Sequence, residues 1–267
     1  MKSRLLVSAV GVPLILLVIL WAPLWVLAAF LTALSAIAAW ELMKCVDAGR
    51  HRTLWVLAVL GAAFSLGFSY INVYIYGELV VIYAVLVFAY AVCRGGEVKF
   101  QQIMAALFAM FVVPYSFASF LRLDAAGYHR GFLLLPLLFS FASDTCAFFA
   151  GRAFGKHKLA PKVSPHKTVE GALGGLAGNA FFGVVFALVM NLGFDHQISY
   201  LGIAALGLAC SVVAQLGDLS FSLIKREFGI KDYGRIFLEH GGVLDRFDSV
   251  IFVAPVLGTL LPLLGLV

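Results

Sequence analysis

The chain has 267 residues, 63% of them hydrophobic and 12% charged, with a net charge of +5. A soluble domain carries about 25% charged residues, so this composition excludes one and calls for a bilayer as solvent. The positive balance suits anionic lipid headgroups and gives no indication of a nucleic-acid partner.

A hydrocarbon core about 30 Å thick takes about 20 apolar residues per helix, and nine runs of roughly that length follow one another along the chain. The first, Leu5 to Ala22, follows Lys2 and Arg4 and continues into further apolar sequence without a convincing cleavage site, so a retained helix is expected rather than a removed signal. Trp25 to Met43, Leu54 to Tyr70, Leu79 to Cys93 and Ile103 to Leu121 come next, with few ionisable groups between them. Trp21, Trp25, Trp40 and Trp55 fall near the ends of these runs, where amphipathic rings anchor in the headgroup layer.

The sixth run, Gly131 to Ala150, holds Asp144, and behind it positive charge is concentrated in Arg152, Lys156, His157, Lys158, Lys162, His166 and Lys167, with Thr168 and Glu170 beyond. Ser164 followed by Pro165 predicts a helix start, serine as cap and proline in the first turn, and the free N–H groups of such a start suit an anion such as a triphosphate. For the outlying lysines a positively charged cytoplasmic loop stands beside this reading as the plain alternative. Gly171, Gly174, Gly175 and Gly178 open the seventh run, Gly171 to Leu192, at a spacing that predicts close helix packing rather than phosphate binding.

The eighth run, Tyr200 to Ile224, carries Gln215, Asp218 and Ser222 at spacings that place them, with Lys225, on one helical face. An isolated carboxylate in hydrocarbon costs several kcal/mol, so Asp218 must face protein, a cation or a wet cavity, and an interhelical salt bridge is the plain structural alternative. Then come Ser222, Lys225, Arg226, Lys231, Asp232, Gly234, His240, Gly241, Gly242, Asp245, Arg246 and Asp248, before the ninth run, Ser249 to Val267. Asp245 and Asp248, three residues apart, project from one side of a helix, and hard oxygen ligands of this kind suit magnesium. Gly241 and Gly242 allow a sharp turn and a close approach to a ligand. Lys231, Asp232 and Arg235, taken singly, equally fit a solvated loop.

With the N-terminus inside, every lysine and arginine except Arg122 and Arg130 falls in a cytoplasmic segment, and nine spans leave the C-terminus outside. The fold class expected is therefore all-α, a polytopic integral membrane protein of about nine transmembrane helices with a cytoplasmic N-terminus. Cys45, Cys93, Cys146 and Cys210 are scattered without a C-x-x-C pair, which suggests neither a zinc site nor a disulfide framework. No repeat of about 20 to 50 residues and no low-complexity linker divides the chain.

Read together, the residues from Ser222 to Asp248 resemble the signature of the phosphatidate cytidylyltransferase family, also called CDP-diglyceride synthetases. Ser222, Lys225, Arg226, Lys231, Asp232, Gly234, His240, Gly241, Gly242, Asp245, Arg246 and Asp248 carry the match. Ser164 to Gly171 is similar to a second family feature and Gln215 to Asp218 to a third, while the N-terminal half is similar only in being a set of apolar helices. Leu238 stands where proline or glycine is expected and His166 where lysine is common.

The resemblance implies transfer of cytidylyl from CTP to phosphatidic acid, with pyrophosphate released and Mg2+ required, as one ion or as two of which the second is divalent or monovalent. A single membrane domain over 1–267 is expected, with N-terminal helices over 1–130 and catalytic helices and cytoplasmic loops over 131–267. A bacterial inner-membrane location, a cytoplasmic site, surrounding membrane lipids and a possible homodimer belong to the same expectation. Asp218, Asp245 and Asp248 are expected to hold metal, and Lys225, Arg226 and Arg246 to orient the phosphatidate head, with His240 beside them. Ser164, Lys167 and Thr168 are expected to hold the triphosphate, and Asp144, Glu170, Ser222, Lys231 and Asp232 to line the substrate site.

Two alternatives stand beside it. A CTP-dependent kinase of the polyprenol type would move the terminal phosphoryl group instead of the nucleotide. An ion-coupled secondary transporter would use Asp144 and Asp218, but such proteins set their acids near the midplane of inverted repeats, and no internal symmetry is apparent here.

Overall fold

A computed structural model describes residues 2–47, 49–237 and 241–266. In hydrocarbon every backbone N–H must find its acceptor within the chain, and a helix does so within a single segment. The apolar runs accordingly fold as α1 (Lys2–Trp21), α2 (Leu24–Asp47), α3 (Arg52–Ile71), α4 (Val73–Cys93), α5 (Phe100–Ala125), α6 (Leu135–Phe154), α7 (Val169–Gly193), α8 (Tyr200–Glu227) and α9 (Leu244–Leu263). A 3-10 turn, Arg130–Leu134, leads into α6, and a two-stranded hairpin of β1 (Lys158–Ala160) and β2 (Ser164–Thr168) joins α6 to α7. Among the described residues eight helices, α2 to α9, are long and apolar enough to cross a membrane, and each lies on one of the predicted runs. The first predicted run coincides with α1. The chain is an all-α polytopic membrane protein.

It divides into two compact units, Met1–Ala126 with Glu227–Phe247, and Gly127–Arg226 with Asp248–Val267. In the first unit α3 lies against α2 and α5, and α4 flanks α3 and α5. Buried small residues let these helices approach: Ala38 and Ala39 of α2, Ala58 and Ala62 of α3, and Ala106 and Ala109 of α5. Between lipid-solvated helices no hydrophobic force drives association, so such close packing and interhelical hydrogen bonds must supply it. Pro114 in α5 has no N–H to offer the carbonyl of Met110, and the Ser65 hydroxyl of α3 donates to that oxygen at 2.8 Å. One residue on, the Tyr76 hydroxyl of α4 donates to the Phe111 carbonyl at 2.7 Å. At the turn between α2 and α3, Asp47 accepts from the His51 N–H at 2.8 Å and from Gln102 Nε2 of α5 at 2.7 Å. The outward face of α4 shows Val81, Ile82, Val85, Leu86 and Val92, a surface that would aggregate in water and that lipid covers.

In the second unit α6 and α7 are closely apposed. A Cβ on Gly174 would collide with Ala150, one on Gly178 with the Cys146 sulfur, and one on Gly171 would sit 2.7 Å from the Ala147 carbonyl oxygen. The glycine run of α7 is thus a helix-packing face, as its spacing predicts. Gly207 of α8 meets the Asn179 carbonyl of α7 in the same way, and Gly217 of α8 meets the Asp248 carbonyl of α9. A polar chain, buried at its serine end, joins three helices: Ser143 of α6 to Ser211 of α8 at 2.8 Å, Gln215 Nε2 to Ser211 at 3.2 Å, and Gln215 Nε2 to the Ala172 carbonyl of α7 at 3.1 Å.

Candidate active site

The sequence predicts a helix starting at Ser164 and Pro165, and the structure corrects this. Ser164 to Thr168 form strand β2, paired antiparallel with β1 through Ala160↔Ser164 and Lys158↔Thr168, and α7 begins at Val169. A two-stranded hairpin is all edge, so a proline that cannot donate is tolerated in it, and the serine–proline pair mimics a cap signal. The cap is Thr168, whose buried Oγ1 accepts the Gly171 N–H at 3.1 Å. Gly151 and Gly155 at the end of α6 leave room for that side chain, since a Cβ at either would lie 2.9 Å from Thr168 Oγ1.

Glu170, in the first turn of α7, accepts the N–H groups of Lys156 at 3.0 Å and His157 at 3.2 Å, and meets His157 Nδ1 at 2.6 Å. Its carboxylate thus ties the approach to β1 onto α7. Lys158 Nζ donates to the Pro165 carbonyl at 2.7 Å, and Arg226 Nε of α8 to the Val163 carbonyl in the hairpin loop at 3.3 Å. His166 is exposed on β2.

Lys167, from the same strand, forms an ion pair with Asp218 Oδ2. The Ser222 hydroxyl, one turn further along α8, donates to Asp218 Oδ1 at 3.2 Å. The polar stripe read from the spacing on α8 is therefore one face, with Gln215 toward α7 and Asp218 toward the strand before it. Asp248 of α9 is 8% exposed, and its Oδ1 accepts the Ser249 N–H at 2.7 Å. Asp218, Asp144 of α6 and Lys225 lie near enough for their charges to act on Asp248. Three helices of the second unit thus each bring a carboxylate to one region, with Lys167 and Lys225 beside them. Like charges repel strongly where water is scarce, so such a set needs cations.

In the first unit Asp245 Oδ2 accepts the N–H groups of Tyr233 at 2.8 Å and Gly242 at 3.0 Å. Gly241 has φ +85°, and a Cβ there would sit 2.7 Å from Asp245 Oδ2, which explains the first glycine of the His-Gly-Gly run. Lys231, Asp232 and Arg246 are exposed. His240 and Leu238 lie outside the described residues. A carboxylate outside the signature stands nearby: Glu41 of α2 is fully buried, its Oε1 accepting the Val243 N–H at 3.0 Å and its Oε2 the Leu244 N–H at 2.9 Å. The signal was present, since an ionisable residue within an apolar run is a functional candidate by default.

Magnesium takes one or two protein carboxylates and completes its octahedron with water and substrate phosphate. Among the described residues no three His, Cys, Asp or Glu side chains close into a ready-made cage. Asp144, Asp218 and Asp248, on separate helices, offer the hard oxygen donors that magnesium prefers.

The sequence pattern of the cytidylyltransferase family matches residues 2–264, and the chain belongs to that family. Among similar proteins are the phosphatidate cytidylyltransferases of Staphylococcus aureus (strain COL) and of Staphylococcus saprophyticus, each 38% identical over 176 residues. That of Staphylococcus haemolyticus is 37% identical over the same length. Each alignment takes in 66% of this chain and 65% of the relative, so it spans just under two thirds of the relatives' own length.

Proposed function

We propose that the chain is a phosphatidate cytidylyltransferase, transferring CMP from CTP to phosphatidic acid. The observation that carries this reading is the match of residues 2–264 to the cytidylyltransferase family; the Lys167–Asp218 ion pair and the placement of Asp248 within electrostatic reach of Asp144, Asp218 and Lys225 support it.

The nucleophile is an oxygen of the lipid phosphate, whose second pKa near 6 leaves it largely anionic at neutral pH, so no general base is needed. That oxygen bonds to the α-phosphorus of CTP as the α–β bridge breaks, and pyrophosphate leaves. The barrier is the approach of one anion to another, which alignment and charge neutralisation lower. Asp218 and Asp248, with Asp144, would hold Mg2+, one ion or two, which when bound supplies positive charge to the phosphate oxygens, and Asp245 is assigned to the metal by its place in the signature. Lys167, now held by Asp218, turns its ammonium to the triphosphate, at the hairpin that Thr168 and Glu170 brace against α7. Lys225, Arg226 and Arg246 orient the phosphatidate head, a role for which charged hydrogen bonds to phosphate are suited. Ser222 keeps Asp218 oriented, and His240, Lys231 and Asp232 belong to the site by their place in the signature.

The same reading treats the chain as one membrane domain in a bacterial inner membrane, with the N-terminus and the lysine-rich loops in the cytoplasm, and it includes a homodimer. Purified protein incubated with labelled CTP, phosphatidic acid and Mg2+ should yield CDP-diacylglycerol and pyrophosphate. CDP with a phosphorylated lipid would make it a kinase, and solute flux without nucleotide use a transporter.

A further inference from the structure

Glu41 is a fully buried carboxylate that none of the roles above employs. The first N–H groups of a helix have no partner within it, and a Ser, Thr, Asp or Asn just before the helix normally accepts one of them. In α9 that position is Val243, whose carbonyl accepts the Arg246 and Phe247 N–H groups at 3.1 Å and 3.0 Å and whose side chain has nothing to accept with. Glu41 supplies what is missing from a separate helix, one oxygen for Val243 N–H and the other for Leu244 N–H. The adjacent Gly242 N–H goes to Asp245, so two carboxylates between them hold three successive backbone donors.

The loop is shaped around this group. A Cβ on Gly234 or on Gly242 would collide with the Glu41 carboxylate, which gives the second glycine of the His-Gly-Gly run its reason. Gly241 makes room for Asp245 and Gly242 for Glu41. An amide could not replace Glu41 unchanged, because both carboxyl oxygens accept an N–H group and an amide has one acceptor oxygen.

We infer that Glu41 is a positioning residue of the cytidylyltransferase site: it fixes the backbone of Gly242, Val243 and Leu244 and thereby the direction of the Asp245 carboxylate. This rests on the function proposed above. Glu41→Gln has one acceptor oxygen, so one of the two N–H groups would face an amide NH2. In full-length protein, kcat should fall about tenfold to a hundredfold, the cost of a small misplacement at a reacting centre. KM for CTP should move by less than about threefold, and the Mg2+ concentration for half-maximal rate should rise. Glu41→Asp, which keeps both oxygens, should recover part of kcat. Gly242→Ala should harm the wild type and be far milder in Glu41→Ala, where the carboxylate no longer fills the space.

Hydrogen exchange separates this role from general support of the fold. Faster exchange in Glu41→Gln confined to residues 242–245, with the loss in kcat, supports the assignment. Wild-type kcat and Mg2+ dependence in Glu41→Gln would overturn it, as would faster exchange spread through α2, α3 and α5. If the wild type makes no CDP-diacylglycerol, the proposed function fails; the exchange at Val243 and Leu244 then still decides, since an unchanged rate there would refute the carboxylate's hold on the loop.

Discussion

Lys167 and Asp218 hold each other before any substrate is present, which gives both side chains a defined direction. An ammonium freed onto a triphosphate leaves Asp218 available to a cation, so the two should differ in what their loss does. Lys167→Ala should raise KM for CTP by about tenfold to a hundredfold, the worth of a hydrogen bond to a charged group, with little change in KM for phosphatidic acid. Asp218→Asn should instead abolish turnover at every CTP concentration and change its Mg2+ dependence. A steady-state series in mixed micelles distinguishes them, and the reverse pattern would reassign the strand to the lipid. Asp218 was legible because a carboxylate in an apolar run must be accounted for. Glu41 met the same criterion, but it follows Ala38, Ala39 and Trp40 far in sequence from the signature, and nothing in its neighbourhood points to Val243.

Among the elements, the α6–α7 pair depends on the absence of side chains. Gly174→Ala places a methyl group against Ala150 and should lower stability by about 1–3 kcal/mol, the usual cost of overpacking. Ala150→Gly in the same chain should restore most of it, which thermal unfolding in detergent would register. Helices were readable from length and apolar content, and the packing face of α7 from its glycine period. The hairpin was not. Strands of three and five residues carry too little alternation to be seen, and Ser164–Pro165 imitates a helix cap. Its real support, the Glu170 carboxylate on the Lys156 and His157 amides, joins residues whose pairing no local pattern states.

For the molecule as a whole, the distribution of lysine and arginine makes a topological statement that labelling can check. In a chain whose four cysteines are replaced, Lys162→Cys should react with an impermeant thiol reagent only from the cytoplasmic side and Ala126→Cys only from the opposite side. Reaction of both from one side would remove the cytoplasmic assignment of the hairpin. The overall class was plain from composition, because solvent dictates it. The division into two compact units was not, since the segment Glu227–Phe247 belongs with helices made much earlier.

That long return has a temporal side. Glu41 precedes Val243 by 202 residues, which at ribosomal speeds of about 5–20 residues per second is a delay on the order of 10–40 s. During that interval α2 is already synthesised and its acid has no amides to receive. A nascent chain arrested anywhere short of Val243 therefore has no means of finishing the loop, and competence is deferred until the closing stage of translation.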